Sequence, residues 1–193
     1  MDVPVLHTTR CIVRGLRATD VPELARYRSD PRVARYQSWD GYTEHDARAL
    51  LDKLAATPLG TTGTWYQLAI ARAGDDVLIG DIGLHFLDEQ QVELGFTLGF
   101  EHHGAGLARE AVGAVVDHLF VAWGRHRLVA TTDVRNAPAV RLLEALGFRR
   151  EAHHIDNVLF KGAWGSEYVY ALLRREHGFE RDDIARQSSP PDR

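Results

Sequence analysis

The residues of this chain whose types and spacing could do chemistry are concentrated in one stretch, 92–109. His103-Gly104-Ala105-Gly106 stands between a β-type run and the most apolar helical pattern of the chain, which begins at Leu107. A glycine pair ahead of a helix leaves several backbone N–H groups without carbonyl partners. It also sets the positive end of the helix dipole beside them, an arrangement suited to a phosphate or another anion. Gly104 and Gly106 let the backbone approach such a ligand with no Cβ in the way, and Arg109 adds a cation in the first turn. The same letters also fit a plain turn before a helix. Upstream, Val92, Leu94, Phe96 and Leu98 alternate with Glu93, Gly95 and Thr97, so a strand here has one apolar face and projects Glu93 from the other.

Other ligand chemistries fit less well. No GxxxxGK followed by Ser or Thr is present, which excludes a Walker loop. A dinucleotide fingerprint needs a third glycine where Arg109 stands and a βαβ frame around it; Asp133 lies at a tolerable distance for a ribose contact, but the frame is absent. The chain has ten histidines, with His102-His103 and His153-His154 adjacent. Adjacent strand residues point to opposite faces, and neither a Cys partner nor an HExxH helix accompanies them, so no metal is expected. A net charge of −4 in 193 residues argues against nucleic acid as a partner. No apolar run reaches the roughly 20 residues of a membrane span. The single cysteine, Cys11, and the absence of an apolar leader lead to the expectation of a reducing cytoplasm.

The elements that position this stretch are legible from periodicity. A short strand at 11–16 stops at Asp20, which with Glu23 reads as a capping box opening a helix that Asp30-Pro31 ends. Residues 32–42 lack a period, and Thr43 with Asp46 caps a second helix carrying Ala47, Leu50, Leu51 and Leu54. Runs at 65–71, 77–87 and 92–98, divided by turn residues, predict an antiparallel meander. The helix from Leu107 is apolar around most of its circumference and is therefore predicted to be central. A strand at 128–134 follows. Asn136 and Pro138 then open a helix that Gly147 stops, and strands at 148–155 and 168–173 close the pattern. Residues 1–178 read as one domain and 179–193 as a polar tail expected to be disordered.

That order of elements resembles the GNAT superfamily of acetyl-CoA-dependent N-acetyltransferases. Four stretches in sequence resemble its RimJ/RimL branch. They are Val92-Glu93-Leu94-Gly95-Phe96-Thr97-Leu98, Gly104-Ala105-Gly106-Leu107-Ala108-Arg109-Glu110-Ala111, Asn136 through Phe148, and Trp164-Gly165-Ser166-Glu167-Tyr168. The resemblance spans roughly residues 8–176. It implies an α/β (α+β) GNAT fold: a mixed, mostly antiparallel central sheet of about seven strands flanked by about four helices.

The resemblance also assigns roles. Backbone N–H groups of His103, Gly104, Ala105, Gly106, Leu107 and Ala108 would hold the pyrophosphate of acetyl-CoA, and Phe96, Thr97 and Leu98 would pair with its pantetheine arm. Asn136 would contact the cofactor arm or serve as a plain helix cap. Glu93 would take the proton an amine must lose before it attacks the thioester. Trp39, Tyr42, His85 and His154 are candidates for the acceptor side. Three positions depart from the pattern: Glu101 stands where many members carry Arg or Gln, Leu143 where many carry a tyrosine acid, and Ala139 where some carry a serine. The implied function is acetyl transfer to a primary amine, on a protein N-terminus or a small molecule. An acyl-CoA-binding regulatory module without turnover is the alternative that the missing tyrosine and serine suggest, and a dinucleotide-binding domain is a third. By resemblance alone the chain leans to a homodimer over a monomer.

Overall fold

A computed structural model describes residues 1–178; the tail expected at 179–193 lies outside them. The chain runs β1 (Leu6–His7), β2 (Cys11–Gly15), α1 (Val21–Arg28), α2 (Pro31–Ala34), α3 (Glu44–Ala56), β3 (Trp65–Arg72), β4 (Leu78–Phe86) and β5 (Gln91–Leu98). It continues with α4 (Leu107–Val121), β6 (Arg127–Asp133), α5 (Ala137–Ala145), β7 (Arg149–Phe160), β8 (Ala163–Leu173) and α6 (Arg174–His177). The strands form one sheet in the order β1-β2-β3-β4-β5-β6-β8-β7. Neighbours are antiparallel throughout except β5 and β6. Those two run parallel through Gln91–Arg127, Val92–Leu128 and Glu93–Val129, and then part.

The sheet separates two apolar layers. On one face α4 buries Ala111, Val112, Val115, Val116, Leu119 and Phe120. These meet Val92, Leu94 and Leu98 of β5 and Leu128 and Ala130 of β6 in the main core. Each large apolar side chain so buried is worth about 1.5–3 kcal/mol, which makes this contact the main fixture of the strands around the glycine loop. On the other face Val21, Leu24 and Tyr27 of α1 and Ala47 of α3 close over Ala69 and Leu78. The alternation read along 92–98 holds: Val92 and Leu94 are buried, and Glu93 projects to the second face.

Two ion pairs are buried in this second layer. Arg28 Nη2 lies 2.6 Å from Asp81 Oδ2, and the Tyr27 hydroxyl donates to the same carboxylate. Burial alone would push the Arg28 guanidinium down, but Asp81 outweighs it and holds the pKa above the ordinary value; burial, and secondly Asp81, push the Tyr27 phenol well up. Arg14 makes a two-pronged contact with Asp20 at 2.8 and 3.0 Å.

Several sequence expectations are corrected. Among the described residues the sheet has eight strands, because Leu6–His7 adds a short edge to β2, and there are six α-helices, because α2 forms at the start of the aperiodic stretch and α6 follows β8. Asp20 makes no side-chain cap to α1. Its carboxylate serves Arg14 and accepts from the Arg17 N–H at 2.8 Å, a stronger charged partnership than a cap. β7 and β8 are longer than periodicity indicates, since they form a hairpin turning at Lys161 and Gly162, both at positive φ. On β7, Arg149 pairs with Glu151 and Glu176, while Arg150 lies 4.4 Å over the Tyr168 ring.

Removing Asp81 strands a buried guanidinium, so Asp81→Ala is expected to cost about 3–5 kcal/mol by denaturant unfolding, against much less for a paired apolar replacement of Arg28 and Asp81. A milder, pH-dependent loss is expected at Glu151. The Arg127 side chain, and after it Arg149, hold its carboxyl at about 2, below the ordinary 4.5. A depressed acid stabilises above its unfolded pKa and loses that contribution as pH falls. The stability gap between the wild type and Glu151→Gln should therefore be constant above pH ~4.5 and close towards pH ~2.

Candidate active site

Gly104 and Gly106 both have φ +77°, a left-handed conformation that costs other residues energy. Gly106 is the N-cap of α4 and offers no side-chain cap. Among the described residues, no acceptor takes the N–H groups of 104–109, so six donors converge at the start of a fifteen-residue helix. A Cβ at Gly104 would meet nothing within 4 Å, so the loop is open on its outer side.

Arg10 holds this loop from behind, a contact the sequence did not announce. Its Nη1 donates to the Ala105 carbonyl at 2.8 Å and its Nε to Glu110 Oε2 at 2.7 Å. The Arg10 backbone N–H and Thr8 Oγ1 both reach Glu110 Oε1, at 2.6 and 2.7 Å. Partial burial pushes the Glu110 carboxyl up, but these hydrogen bonds outweigh it and keep the pKa below the ordinary value. Arg10 lies about a hundred residues from its partners, beyond the reach of any local pattern. Glu101, the acid beside the loop, is bound by Arg26 of α1, and its own backbone N–H and then Arg26 lower its pKa.

Where β5 and β6 part, a cavity of about 160 Å³ opens. Leu94, Gly95 and Phe96 form one wall and Ala130 to Asp133 the other. Because β5 has β6 as a partner only as far as Glu93, its edge from Leu94 to Leu98 is free on this side. Asn136, Ala139 and Leu143 of the α5 segment contribute to the lining. Asn136 Oδ1 accepts from the Ala139 N–H at 3.4 Å, so the residue is a helix cap and lines the cavity at once. Leu143 and Ala139 are buried and apolar; neither can supply a proton.

The outer rim is made by Tyr36 and Gln37, after α2, and by Phe160 and Glu167 of the β7–β8 hairpin. Lys161 at the hairpin turn ties these segments together. Its Nζ donates to the Ala34 and Trp39 carbonyls at 2.8 and 2.9 Å and pairs with Asp40 at 2.5 Å. Trp39 and Tyr42, expected on the acceptor side, are absent from the cavity lining: their rings cover the Arg28 guanidinium at 4.5 and 4.9 Å. A cation over an aromatic face is favourable, and this one is already used in the buried ion pair. His154 is exposed on β7 opposite Glu167.

Glu93 sits at the last β5–β6 pair, at the mouth of the gap. Its Oε2 is 3.2 Å from His85 Nδ1 and its Oε1 accepts from Thr131 Oγ1 at 3.2 Å. The structure thus brings Glu93 and His85 together, which the spacing of the sequence could not specify. No three His, Cys, Asp or Glu side chains group to hold a metal among the described residues.

A sheet that parts beside a loop of free N–H groups and a helix N-terminus offers an open strand edge and an anion-compatible helix end. Residues 10–149 match the family described as the acetyltransferase (GNAT) domain, and the chain belongs to that family. The N-acetyltransferase p20 of Bacillus licheniformis is 30% identical over 175 residues, covering 89% of this chain and 97% of the relative. A GNAT-family acetyltransferase structure from Bacillus anthracis superposes with a TM-score of 0.80 at 27% identity, over 90% of this chain and 100% of that one. The [ribosomal protein uS5]-alanine N-acetyltransferase of Escherichia coli is 32% identical over 79 residues, 41% of each chain. The protein is thus an N-acetyltransferase of the GNAT family, drawing its acyl group from acetyl-CoA. Its antiparallel meander is incompatible with a dinucleotide-binding domain. Among the described residues no helix is long and apolar enough to cross a membrane.

The loop supplies its own test. Gly106→Val forces a branched side chain into a left-handed conformation costing about 1–3 kcal/mol. The variant is expected to lose at least about tenfold in acetyl-CoA affinity by calorimetry.

Proposed function

We propose that the chain acetylates a primary amine by direct attack of the amine on the thioester of acetyl-CoA, with Glu93 as the base. The observation that carries this reading is the position of Glu93. It is the carboxylate at the residue pair where β5 and β6 separate, one residue before the cavity wall that begins at Leu94 and continuous with the free edge leading to the glycine loop; the carboxylates of the lining itself, Asp133 and Glu167, are engaged by Arg135 and Asn157.

In this reading the N–H groups of His103 to Ala108 hold the pyrophosphate, and the free backbone of Phe96, Thr97 and Leu98 pairs with the pantetheine amides as an added strand would. Asn136 borders the same arm. Glu93 takes a proton from the arriving ammonium, the nitrogen forms a bond to the thioester carbon, and the carbon–sulfur bond breaks. The thiolate leaves without a protein acid, because Leu143 and Ala139 have no proton to give. A thiol with a pKa of about 8.5 is a good enough leaving group to depart this way, or to take its proton from water. The missing tyrosine and serine therefore do not require a module without turnover. The acceptor class is a primary amine on a protein N-terminus or a small molecule. The relative that acts on the alanine of ribosomal protein uS5 supports the former.

Thiol release from acetyl-CoA across a panel of N-terminal alanyl peptides and polyamines tests the reading. Glu93→Gln is expected to lower kcat on the responsive amine by about 100-fold or more, while acetyl-CoA raises the melting temperature of both proteins equally. Full activity in the variant would remove Glu93 from the mechanism.

A further inference from the structure

The geometry points to His85 as the positioning residue that orients Glu93 and carries away the proton it collects, with Trp65 fixing the imidazole. This rests on the reading of Glu93 as the base.

Trp65, His85 and Glu93 are successive register partners across β3, β4 and β5. On β6 the register partner of Glu93 is Val129, and Thr131, two residues further along that strand, donates its hydroxyl to Glu93. Both carboxylate oxygens are thereby engaged, one by Thr131 and one by His85 Nδ1, and the carboxylate has little rotational freedom left. The indole of Trp65 stacks on the imidazole with ring centroids 4.9 Å apart and planes 13° from parallel.

Two strand glycines are explained by the same unit. Glycine inside a strand weakens it and often marks a close approach of another group. A Cβ at Gly83 would stand 3.0 Å from Cε3 and Cζ3 of Trp65, and one at Gly95 would stand 3.5 Å from Cζ3. Gly83 and Gly95 are themselves register partners, so the sheet gives up two adjacent side chains where the indole lies.

A base that accepts a proton in every cycle has to release it before the next. His85 is placed for that. In the resting pair Nδ1–H donates to the carboxylate; once Glu93 is protonated the ring exchanges through water to its Nε2–H tautomer, the O–H bond of Glu93 breaks as an N–H bond forms at Nδ1, and the imidazolium gives its Nε2 proton to water, which restores the resting tautomer. Ring and carboxylate return to their starting charges, with one proton moved from ammonium to solvent. Both side chains are partly open, 23% for His85 and 24% for Glu93, enough to reach water without dissolving the pair. The titratable group set against His85 is Glu93 on β5; its neighbour on β3, Trp65, is uncharged.

The test measures kcat and KM for the full-length wild type, His85→Ala, His85→Gln, Trp65→Phe and Glu93→Gln, using the fastest amine of the panel above. His85→Ala and His85→Gln are each expected to lose about tenfold or more in kcat with KM for acetyl-CoA within about twofold of wild type. Added imidazole should restore His85→Ala several-fold and leave Glu93→Gln unchanged. Trp65→Phe, which leaves only a smaller ring on the imidazole, should lower kcat, by less than either His85 variant. Wild-type kcat in both His85 variants, with Glu93→Gln inactive, overturns this inference and leaves the base reading standing. A loss in His85→Ala that imidazole does not restore reduces His85 to a structural support and also overturns it. An active Glu93→Gln overturns both readings.

Discussion

The constraint on which the rest of this molecule depends is the separation of two parallel strands after three residue pairs. A buried strand edge is costly unless its N–H and C=O groups find partners, so a sheet does not open in its middle without a reason. Here α4 packs beneath β5 and β6 together, and the α5 segment lines the widening gap. The opening is held by apolar packing and leaves backbone groups facing a cavity. An extended ligand with amides of its own is the natural complement of such an edge. The glycine loop at the far end of β5 adds a set of N–H donors without acceptors.

Charge is distributed to keep that complement intact. The acid nearest the loop, Glu101, is engaged by Arg26, and the acid in the first turn of α4, Glu110, is engaged by Arg10 and Thr8. Neither carboxylate is left to compete for the loop's N–H groups. On the other face, Arg28 and Asp81 fix α1 to β4, and Trp39 and Tyr42 seal the pair from water. Two aromatics that look like ligand contacts in a sequence are consumed here in the desolvation of an ion pair.

What was legible in the sequence is what local periodicity and short-range chemistry encode. The alternation along 92–98, the capping box at Thr43 and Asp46, the Asn136 cap and the glycine loop all appear as read. Thr43 and Asp46 bond within four residues of chain, so nothing distant could override them. Asp20 shows the opposite case: its capping pattern was outbid by a buried arginine six residues earlier. The β7–β8 hairpin escaped notice because its outer arm carries polar residues with no clear alternation. Arg10 on the loop, His85 on Glu93 and Lys161 on the rim are contacts made by topology. They become visible only once the strand order is known.

Lys161 gives the outer rim a thermodynamic character of its own. It joins the 34–40 segment to the hairpin turn through three hydrogen bonds from one ammonium group, and its partners include the backbone carbonyls of Ala34 and Trp39. A cover held partly by one side chain, beside the buried Ala34 and the Trp39 ring over Arg28, can open at a free energy below that of global unfolding. The layers around α4 then need not loosen when the cavity is entered. Amide hydrogen exchange in 34–40 and 158–163 would be governed by this latch as one cooperative unit, separate from the sheet beneath it.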